Sequence, residues 1–303
     1  MVQPGKDILV ADESTGTIAK RFDGIGVENT EDNRRDYREL MFRAKEAMAY
    51  VSGVILYDET IWQKAKDGTP LVKLIADAGS IPGIKVDEGT RQLHGAKPGE
   101  LVTFGLDGLP KRLKAYHDQG ARFAKWRAVI DPTNISYAGL IANAHALARY
   151  AGLCQEFDIV PIVEPEVLMD GNHDAARCDE VTRWMLQTTF SELAEQRVAL
   201  DGIVLKPNMI VAGKGSVRQA SVDEVAERTI AALKATVPSA VPGIAYLSGG
   251  QSDELATAHL SRMNEIGGFP WKMTFSYGRA LQAAPQKTWG GRSENTAAAQ
   301  RAF

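Results

Sequence analysis

One pattern recurs along the 303 residues of this chain. Eight times, a short apolar segment ends in polar or charged residues and is followed by a helix-like segment. The apolar segments begin at Ile8, Val54, Ile84, Phe123, Val160, Ile203, Ile244 and Met273. Successive starts lie 29 to 46 residues apart, and a strand with its crossover helix needs about 30 residues. The alternation predicts a parallel sheet covered on both faces, and eight units predict a single closed (β/α)8 TIM barrel.

An open, doubly wound sheet is the alternative to a barrel. That fold usually carries a glycine-rich phosphate turn after its first strand, whereas here Asp12-Glu13-Ser14 follow that strand. No linker, low-complexity tract or repeat divides the chain. We therefore expect residues 1–303 to form one barrel domain, with no element ahead of the first strand to close the bottom of the barrel.

Several residues are of the types found at helix boundaries. Thr69 followed by Pro70 predicts a cap and a proline at the first helical position. Ser221 stands three residues before a glutamate and predicts the start of another helix. Gly120 and Gly152 are expected to end helices, since glycine adopts the left-handed conformation found there.

The composition excludes several classes of protein. The chain has 35 basic and 38 acidic residues, a net charge of −3, and no run of either sign, so we expect neither nucleic-acid nor membrane partners. No apolar stretch approaches the ~20 residues of a membrane helix, and no secretory signal is visible. The two cysteines, Cys154 and Cys178, provide neither a disulfide framework nor metal-ligand spacing. These features predict a cytoplasmic protein.

Polar and charged residues stand where the strands are expected to end. In such barrels the active site lies at the C-terminal ends of the strands. The residues found there are Asp12, Ser14, Asp58, Glu59, Lys85, Asp87, Lys125, Arg127, Glu164, Glu166, Lys206, Ser248, Gly249, Gly250, Ser276, Gly278 and Arg279. An ion pair explains any one of these charges, but burying the whole set without a function is unfavourable. The set predicts an active site.

Lys206 is the candidate nucleophile because it directly follows the apolar residues 203–205. A free lysine has a pKa of ~10.4, so only about one amine in 2,500 is neutral at pH 7. Burial and a nearby cation such as Lys125 lower that pKa, and the neutral amine attacks carbonyl groups to form a Schiff base.

Two candidate phosphate sites flank this amine. Ser248-Gly249-Gly250 lies between a strand and a helix, next to Gly278-Arg279 of the eighth strand, as in barrel phosphate sites. Ser14, Thr17 and Lys85 provide a second set of anion ligands across the barrel mouth. Two phosphate sites around one amine suit a bisphosphorylated ketose.

Two other chemistries fit less well. The histidines, His94, His117, His145, His173 and His259, end no strand and form no ligand pair, so we expect no metal site. Glu164 and Glu166 resemble the carboxylates of glycosidases, but they lie on one strand and do not flank a bond from opposite sides. That reading also leaves the lysines unexplained.

Eight motifs carry a resemblance to a known family. They are ADESTGTIAKR from Ala11, ENTEDNRRDYR from Glu28, GIKVDEG from Gly83, FAKWRAV from Phe123, VPIVEPE from Val160, LKPNM from Leu205, YLSGGQS from Tyr246 and FSYGRALQ from Phe275. From end to end the chain resembles the class I fructose-1,6-bisphosphate aldolases. This resemblance implies metal-free and cofactor-free retro-aldol cleavage of fructose 1,6-bisphosphate to dihydroxyacetone phosphate and glyceraldehyde 3-phosphate, in glycolysis and gluconeogenesis.

The resemblance also implies roles for individual residues. Lys206 would form the Schiff base with the C2 carbonyl, and Glu164 would act as general acid and base. Lys125 would lower the pKa of the amine, Asp12 would hold the hydroxyls at the cleaved bond, and Glu166 would support this network. The C1 phosphate would contact Ser248, Gly249, Gly250, Ser276, Gly278 and Arg279. The C6 phosphate would contact Ser14, Thr17, Arg21 and Lys85, with Arg127 and Arg34 nearby.

The chain departs from the family pattern in a few places. Thr17 stands where the family usually has serine, and the family's N-terminal helix and tyrosine-ended C-terminal tail are expected to be missing. The resemblance implies a homotetramer. Two alternatives stay open, a metal-free phosphosugar isomerase that uses Glu164 as its base and a non-catalytic scaffold.

Overall fold

The computed structural model describes residues 1–303, and its centre is a closed barrel of eight parallel strands. The chain has ten strands in all, of which every one except β4 and β5 belongs to the barrel: β1 (Asp7–Ala11), β2 (Val51–Leu56), β3 (Ile81–Lys85), β4 (Thr90–Gln92), β5 (Leu101–Thr103), β6 (Phe123–Ile130), β7 (Val160–Val167), β8 (Val204–Leu205), β9 (Gly243–Tyr246) and β10 (Lys272–Tyr277). β4 and β5 form an antiparallel hairpin outside the barrel, and β10 pairs with β1 to close it. The predicted (β/α)8 barrel is confirmed, with each barrel strand at an expected segment.

Helices connect the strands around the outside of the barrel. They are α1 (Thr15–Asp23), α2 (Glu31–Phe42), α3 (Lys45–Met48), α4 (Asp58–Trp62), α5 (Leu71–Asp77), α6 (Leu109–Gln119), α7 (Tyr137–Glu156), α8 (Ala175–Glu195), α9 (Val222–Thr236), α10 (Asp253–Ile266), α11 (Arg279–Trp289) and α12 (Thr296–Ala302). None of them is both long and apolar enough to cross a lipid bilayer.

The predicted helix boundaries are partly confirmed. The Ser221 hydroxyl accepts the N–H of Glu224 at the start of α9, and Gly120 ends α6 at a φ of +117°. Pro70 is the N-cap of α5 and not its first residue, so that prediction was one residue out. The prediction for Gly152 was wrong. It lies within α7, which continues to Glu156 because the buried side chains of its last turns keep it packed against the barrel.

Glycines let large side chains fill the bottom of the barrel. The buried ring of Phe123 lies across Gly53 and Gly83, and a Cβ on these glycines would come within 2.9 and 2.3 Å of that ring. Val2 packs against Gly243 in the same way, with 2.4 Å between its Cγ2 and an added Cβ. The expectation that nothing ahead of β1 closes the barrel was therefore wrong, because Val2 packs on this interior cluster.

We predict opposite effects of two glycine-to-alanine substitutions. Gly83→Ala forces a methyl group into the Phe123 ring and lowers the free energy of unfolding by about 3 kcal/mol. Gly152→Ala is the matched control. Its Cβ meets only ordinary contact at 3.9 Å in a helix interior, so it raises stability by about 0.5–1 kcal/mol. Urea unfolding measures both, and equal stability of the two variants would contradict the proposed packing.

Candidate active site

Four charged side chains meet at the C-terminal end of the barrel. Lys206 follows β8, Glu164 lies on β7, Lys125 lies on β6 and Asp12 follows β1. The Lys206 Nζ is 3.1 Å from Glu164 Oε1, and the Lys125 Nζ is 3.5 Å from Glu164 Oε2 and 2.8 Å from Asp12 Oδ2. Each of the four residues is less than a tenth exposed. They form a chain of alternating charges in which Glu164 bridges the two lysines.

Strand register places these groups side by side. β6 and β7 pair in parallel over eight residues, with Arg127 opposite Glu164. On the other side of β6, Lys125 pairs with Lys85 of β3. Because side chains alternate along a strand, Lys125 and Arg127 both point into the barrel mouth. The short β8 is held to β7 by the backbone N–H of Lys206, which donates to the carbonyl of Val163 at 2.8 Å.

Asn208, which the sequence analysis did not identify, continues the link between β7 and β8 beyond the ladder. Pro207 has no N–H to donate, so it cannot extend the ladder as a donor. The Asn208 side chain is buried, and its Oδ1 accepts the backbone N–H of Val167 at 3.0 Å. Its Nδ2 donates to Thr182 on α8 at 3.1 Å. The peptide that follows Lys206 is therefore tied to both β7 and α8.

Burial and charge shift the pKa values of this cluster in different directions. Burial lowers the pKa of Lys206, and the neighbouring Lys125 lowers it further, against the opposing effect of Glu164. Burial also disfavours the charge of Lys125, but Asp12 and Glu164 outweigh it and raise the pKa of Lys125. Burial likewise opposes the charge of Glu164, but Lys206 and Lys125 outweigh it and lower the pKa of Glu164. Lys125 is thus the fixed cation and Lys206 the amine that is easier to deprotonate.

One cavity of about 420 Å³ extends from Lys206 over the ends of β9 and β10. It is lined by the predicted residues Ser248, Gly249, Gly250, Ser276, Gly278 and Arg279. Gly278 precedes α11 and has no side chain to cap it, so the first N–H groups of that helix are left for an anion. A Cβ on Gly250 would overlap Met169 at 2.1 Å, so this loop requires glycine there for packing as well as for its φ of +78°.

A second cavity, of about 240 Å³, lies on the other side of the charge cluster. It contains Asp12, Lys125 and the predicted residues Ser14, Thr17, Arg21, Lys85 and Arg127. The hydroxyls of Ser14 and Thr17 are 3.1 Å apart at the start of α1. The two cavities share Arg21, Lys125 and Arg127, so a single extended molecule can occupy both.

Some predicted residues lie further from the centre. Arg34 lines neither cavity, and its guanidinium is paired with Glu59 at 2.5 Å. Its place near the C6 phosphate stays a prediction. Asp58 accepts a hydrogen bond from Tyr116 at 2.6 Å. Glu166 is buried and paired with Arg127, so it contacts the cluster's rim and not Lys206.

A polar network that was not predicted from the sequence lies beneath Arg21. Glu13 is buried and accepts hydrogen bonds from Arg21, Arg38 and Gln282. Arg38 is only 1% exposed, and it also donates to the carbonyl of Ala11 at 3.2 Å. Glu13 lies between Asp12 and Ser14 at the end of β1. Side chains alternate along a strand, so a charged residue out of phase with these two was the available signal. The network therefore holds the guanidinium of Arg21 in its position at the wall of both cavities.

The five histidines lie away from the charge cluster. Three are in helices α6, α7 and α10 and two are in loops, as the sequence indicated. No group of three His, Cys, Asp or Glu side chains is arranged to hold a metal ion.

Comparison with known proteins gives consistent matches along the chain. The family described as fructose-bisphosphate aldolase class-I, glycolytic, matches residues 1–303. A probable fructose-bisphosphate aldolase class 1 from Xanthomonas campestris is 58% identical over 291 residues, which cover 95% of this chain and 87% of that relative. The cytosolic fructose-bisphosphate aldolase 6 of Arabidopsis thaliana is 52% identical over 303 residues, covering 99% and 84%.

A solved structure has nearly the same backbone. It is the fructose-bisphosphate aldolase of Plasmodium falciparum, crystallised with TRAP and a small-molecule inhibitor. The two chains superpose with a TM-score of 0.97 at 46% identity, and the match covers 99% of this chain and 88% of the other.

We predict that Glu13→Gln destabilises the protein. The substitution leaves the buried guanidinium of Arg38 without its carboxylate, which lowers the free energy of unfolding by about 3 kcal/mol. Asp77→Asn removes the carboxylate of an exposed pair with Lys73 and serves as the control, with no measurable change expected. Urea unfolding of both variants provides the measurement. A Glu13→Gln protein as stable as the wild type would show that the network contributes little.

Proposed function

This chain belongs to the class I fructose-bisphosphate aldolase family, and we propose that it reversibly cleaves fructose 1,6-bisphosphate through a Schiff base on Lys206. The products are dihydroxyacetone phosphate and glyceraldehyde 3-phosphate, as in glycolysis. The observation that carries the proposal is a buried amine of lowered pKa, 3.1 Å from a carboxylate and next to two cavities that share the cationic residues Arg21, Lys125 and Arg127. An amine so placed is a nucleophile for carbonyl carbon.

Schiff-base formation begins when the neutral amine of Lys206 attacks C2 of the open-chain ketose. Glu164 Oε1 lies within reach of the nitrogen and is the group we assign to move protons between it and the former carbonyl oxygen. Loss of water from the carbinolamine gives an iminium ion. Lys125 stays charged throughout and stabilises negative charge that develops on the oxygens nearby.

Cleavage then uses the iminium ion as an electron sink. The carboxylate of Glu164 takes the proton of the C4 hydroxyl, the C3–C4 bond breaks, and its electrons form an enamine on Lys206 while glyceraldehyde 3-phosphate leaves. We assign Asp12, held at 2.8 Å from Lys125, to bind the hydroxyls at this bond. Protonation of the enamine at C3 and hydrolysis of the iminium ion release dihydroxyacetone phosphate and regenerate the amine.

The two cavities support the assignment of the phosphates. The larger one, with Arg279 and the Ser248–Gly250 loop, adjoins Lys206 and would hold the C1 phosphate. The smaller one, with Ser14, Thr17, Lys85 and Arg21, would hold the C6 phosphate, and Arg127 borders both. Glu166 pairs with Arg127 and would keep that guanidinium in place.

We propose further properties of the protein from the names of its relatives and from the family resemblance. We propose that residues 1–303 act as one catalytic domain and that the protein works in the cytoplasm, since plant relatives are named as cytosolic or cytoplasmic isozymes. We propose a homotetramer on the family resemblance. Tyr137, 65% exposed and stacked on Trp184, is an aromatic surface of the kind that subunit contacts cover.

Borohydride trapping tests the proposed function. With dihydroxyacetone phosphate and EDTA present, we expect one reduced adduct per chain on the peptide that contains Lys206, as seen by intact mass and peptide mapping. Lys206→Met removes the amine and should abolish both the adduct and the cleavage of fructose 1,6-bisphosphate.

Other outcomes of that experiment favour the alternatives. Interconversion of triose phosphates without any adduct would favour a phosphosugar isomerase that uses Glu164 as its base. Neither adduct nor turnover in the wild-type protein would favour a scaffold. Cleavage that EDTA abolishes would overturn the Schiff-base mechanism.

We also predict that Lys125 sets the pH dependence of adduct formation. Its charge lowers the pKa of Lys206, so Lys125→Met lets that pKa rise, helped by the carboxylates of Asp12 and Glu164 that lose their partner. Because only the neutral amine reacts, its fraction at a given pH falls. The midpoint of adduct formation with dihydroxyacetone phosphate therefore moves to higher pH. Lys73→Met, which removes an exposed surface charge, is the control and should leave the midpoint unchanged. A downward shift in Lys125→Met would contradict this account.

A further inference from the structure

Gln251 lies at the end of the phosphate loop and has a side chain that no proposed step uses. Its backbone N–H closes a turn onto the carbonyl of Ser248 at 3.3 Å, with Gly250 at the position that requires a positive φ. That N–H is therefore directed into the turn. The residue is 8% exposed and lines the same cavity as Arg279 and the loop.

The amide of Gln251 is held by a hydrogen bond to His259, which does not line the cavity. It lies on α10, is 1% exposed, and its Nδ1 is 2.6 Å from Gln251 Oε1. The other ring nitrogen, Nε2, is buried without a partner. The amide nitrogen of Gln251 makes no hydrogen bond to the protein. It is not one of the unpartnered side-chain atoms that are fully buried, so part of its surface is accessible to solvent.

The position of one proton decides which end of the amide faces the cavity. With hydrogen on Nδ1, the histidine donates to Oε1 and leaves a lone pair unpaired at Nε2. With hydrogen on Nε2, the histidine leaves a buried N–H unpaired, which proteins avoid more strictly than an unpaired acceptor. The first arrangement directs the NH₂ group of Gln251 toward the cavity. An anion there is bound by that group, whereas an amide oxygen in the same place would repel it.

We propose that Gln251 is a further substrate-binding residue that donates to the C1 phosphate, and that His259 is the positioning residue that fixes the orientation of its amide. This inference rests on the proposed function, because the phosphate is that of the Schiff-base substrate. The backbone N–H groups of the loop and Arg279 surround the phosphate from other sides. Gln251 adds a neutral donor whose direction is set by a buried side chain and not by solvent.

Trapping with two ketones isolates the phosphate contact. Dihydroxyacetone phosphate and dihydroxyacetone form the same Schiff base, but only the first carries a phosphate. In Gln251→Leu we expect the half-saturating concentration of the phosphorylated ketone to rise roughly tenfold, the size of one hydrogen bond to a charged group. That of dihydroxyacetone stays unchanged. For fructose 1,6-bisphosphate, KM rises and kcat changes less than about twofold.

Two substitutions of His259 test the positioning role. His259→Leu cannot donate, so the amide is free to turn and the half-saturating concentration of dihydroxyacetone phosphate rises. His259→Asn is the conservative variant, because its Nδ2 stands close to where the Nδ1 of histidine stood and also donates. We expect it to restore near wild-type values.

The remaining outcomes separate the two proposals. An adduct in the wild type with equal affinities in all variants would overturn the roles of Gln251 and His259 and leave the aldolase mechanism intact. Parallel losses for both ketones, or a falling kcat, would assign His259 to general packing instead, as would a His259→Asn variant that behaves like His259→Leu. No adduct in the wild type would overturn the proposed function and this inference with it.

Discussion

The structure of the site depends on one carboxylate placed between two lysines. Glu164 contacts Lys206 with one oxygen and Lys125 with the other, and Asp12 pairs with Lys125 from the far side. Buried charges of this kind are tolerated only when each is matched, because water is not there to solvate them. The matching is unequal. Lys125 has two carboxylates and remains a cation, whereas Lys206 has only a share of one and has its pKa lowered by burial. The same arrangement that makes burial possible thus favours the neutral form of the Lys206 amine.

Such a cluster requires a frame that cannot relax, since small movements would let the charges reach water or pair differently. The barrel provides it in layers. Below the charges, Phe123 and its aliphatic neighbours fill the interior, and Gly53 and Gly83 make room for that ring. At the level of the charges, the pairing of β6 with β7 over eight residues fixes the positions of Lys125 and Glu164 relative to each other. Above them, beyond Pro207, which has no N–H to donate, the Asn208 side chain links the two strands again by accepting the N–H of Val167.

The sequence was most informative where a residue's own neighbours decide its position. Strands buried on both faces read as apolar runs, so all eight barrel strands and most residues at their ends were predicted. The pairing of Arg34 with Glu59 was not predicted, because the two residues are 25 positions apart and nothing local reveals that pair. The hydrogen bond between Glu13 and Gln282 was missed for the same reason, since they are 269 residues apart, although strand alternation already set Glu13 apart from Asp12 and Ser14. Gly152 was read as a helix end because its type favours that role, but packing of α7 continued the helix through it.

The loops above the barrel are joined to one another by hydrogen bonds and packing. These contacts affect the position of the proposed phosphate site relative to Lys206. The loop after β7 bonds to the loop after β8 through backbone hydrogen bonds from Gly213 to His173, from Lys214 to Met169 and from Gly215 to Gly171. Met169 in turn packs onto Gly249 and Gly250, whose missing side chains leave room for it.

The strand of Glu164, the strand of Lys206 and the phosphate loop are therefore one packed unit. The phosphate that we propose to bind at Gly250 would be fixed relative to the amine without any contact between them, since both are held by the same intervening residues. Holding the reacting carbonyl at a set distance from the nucleophile in this way converts binding of a remote phosphate into orientation at C2. This explains why glycine is needed at a position that contributes no side-chain chemistry of its own.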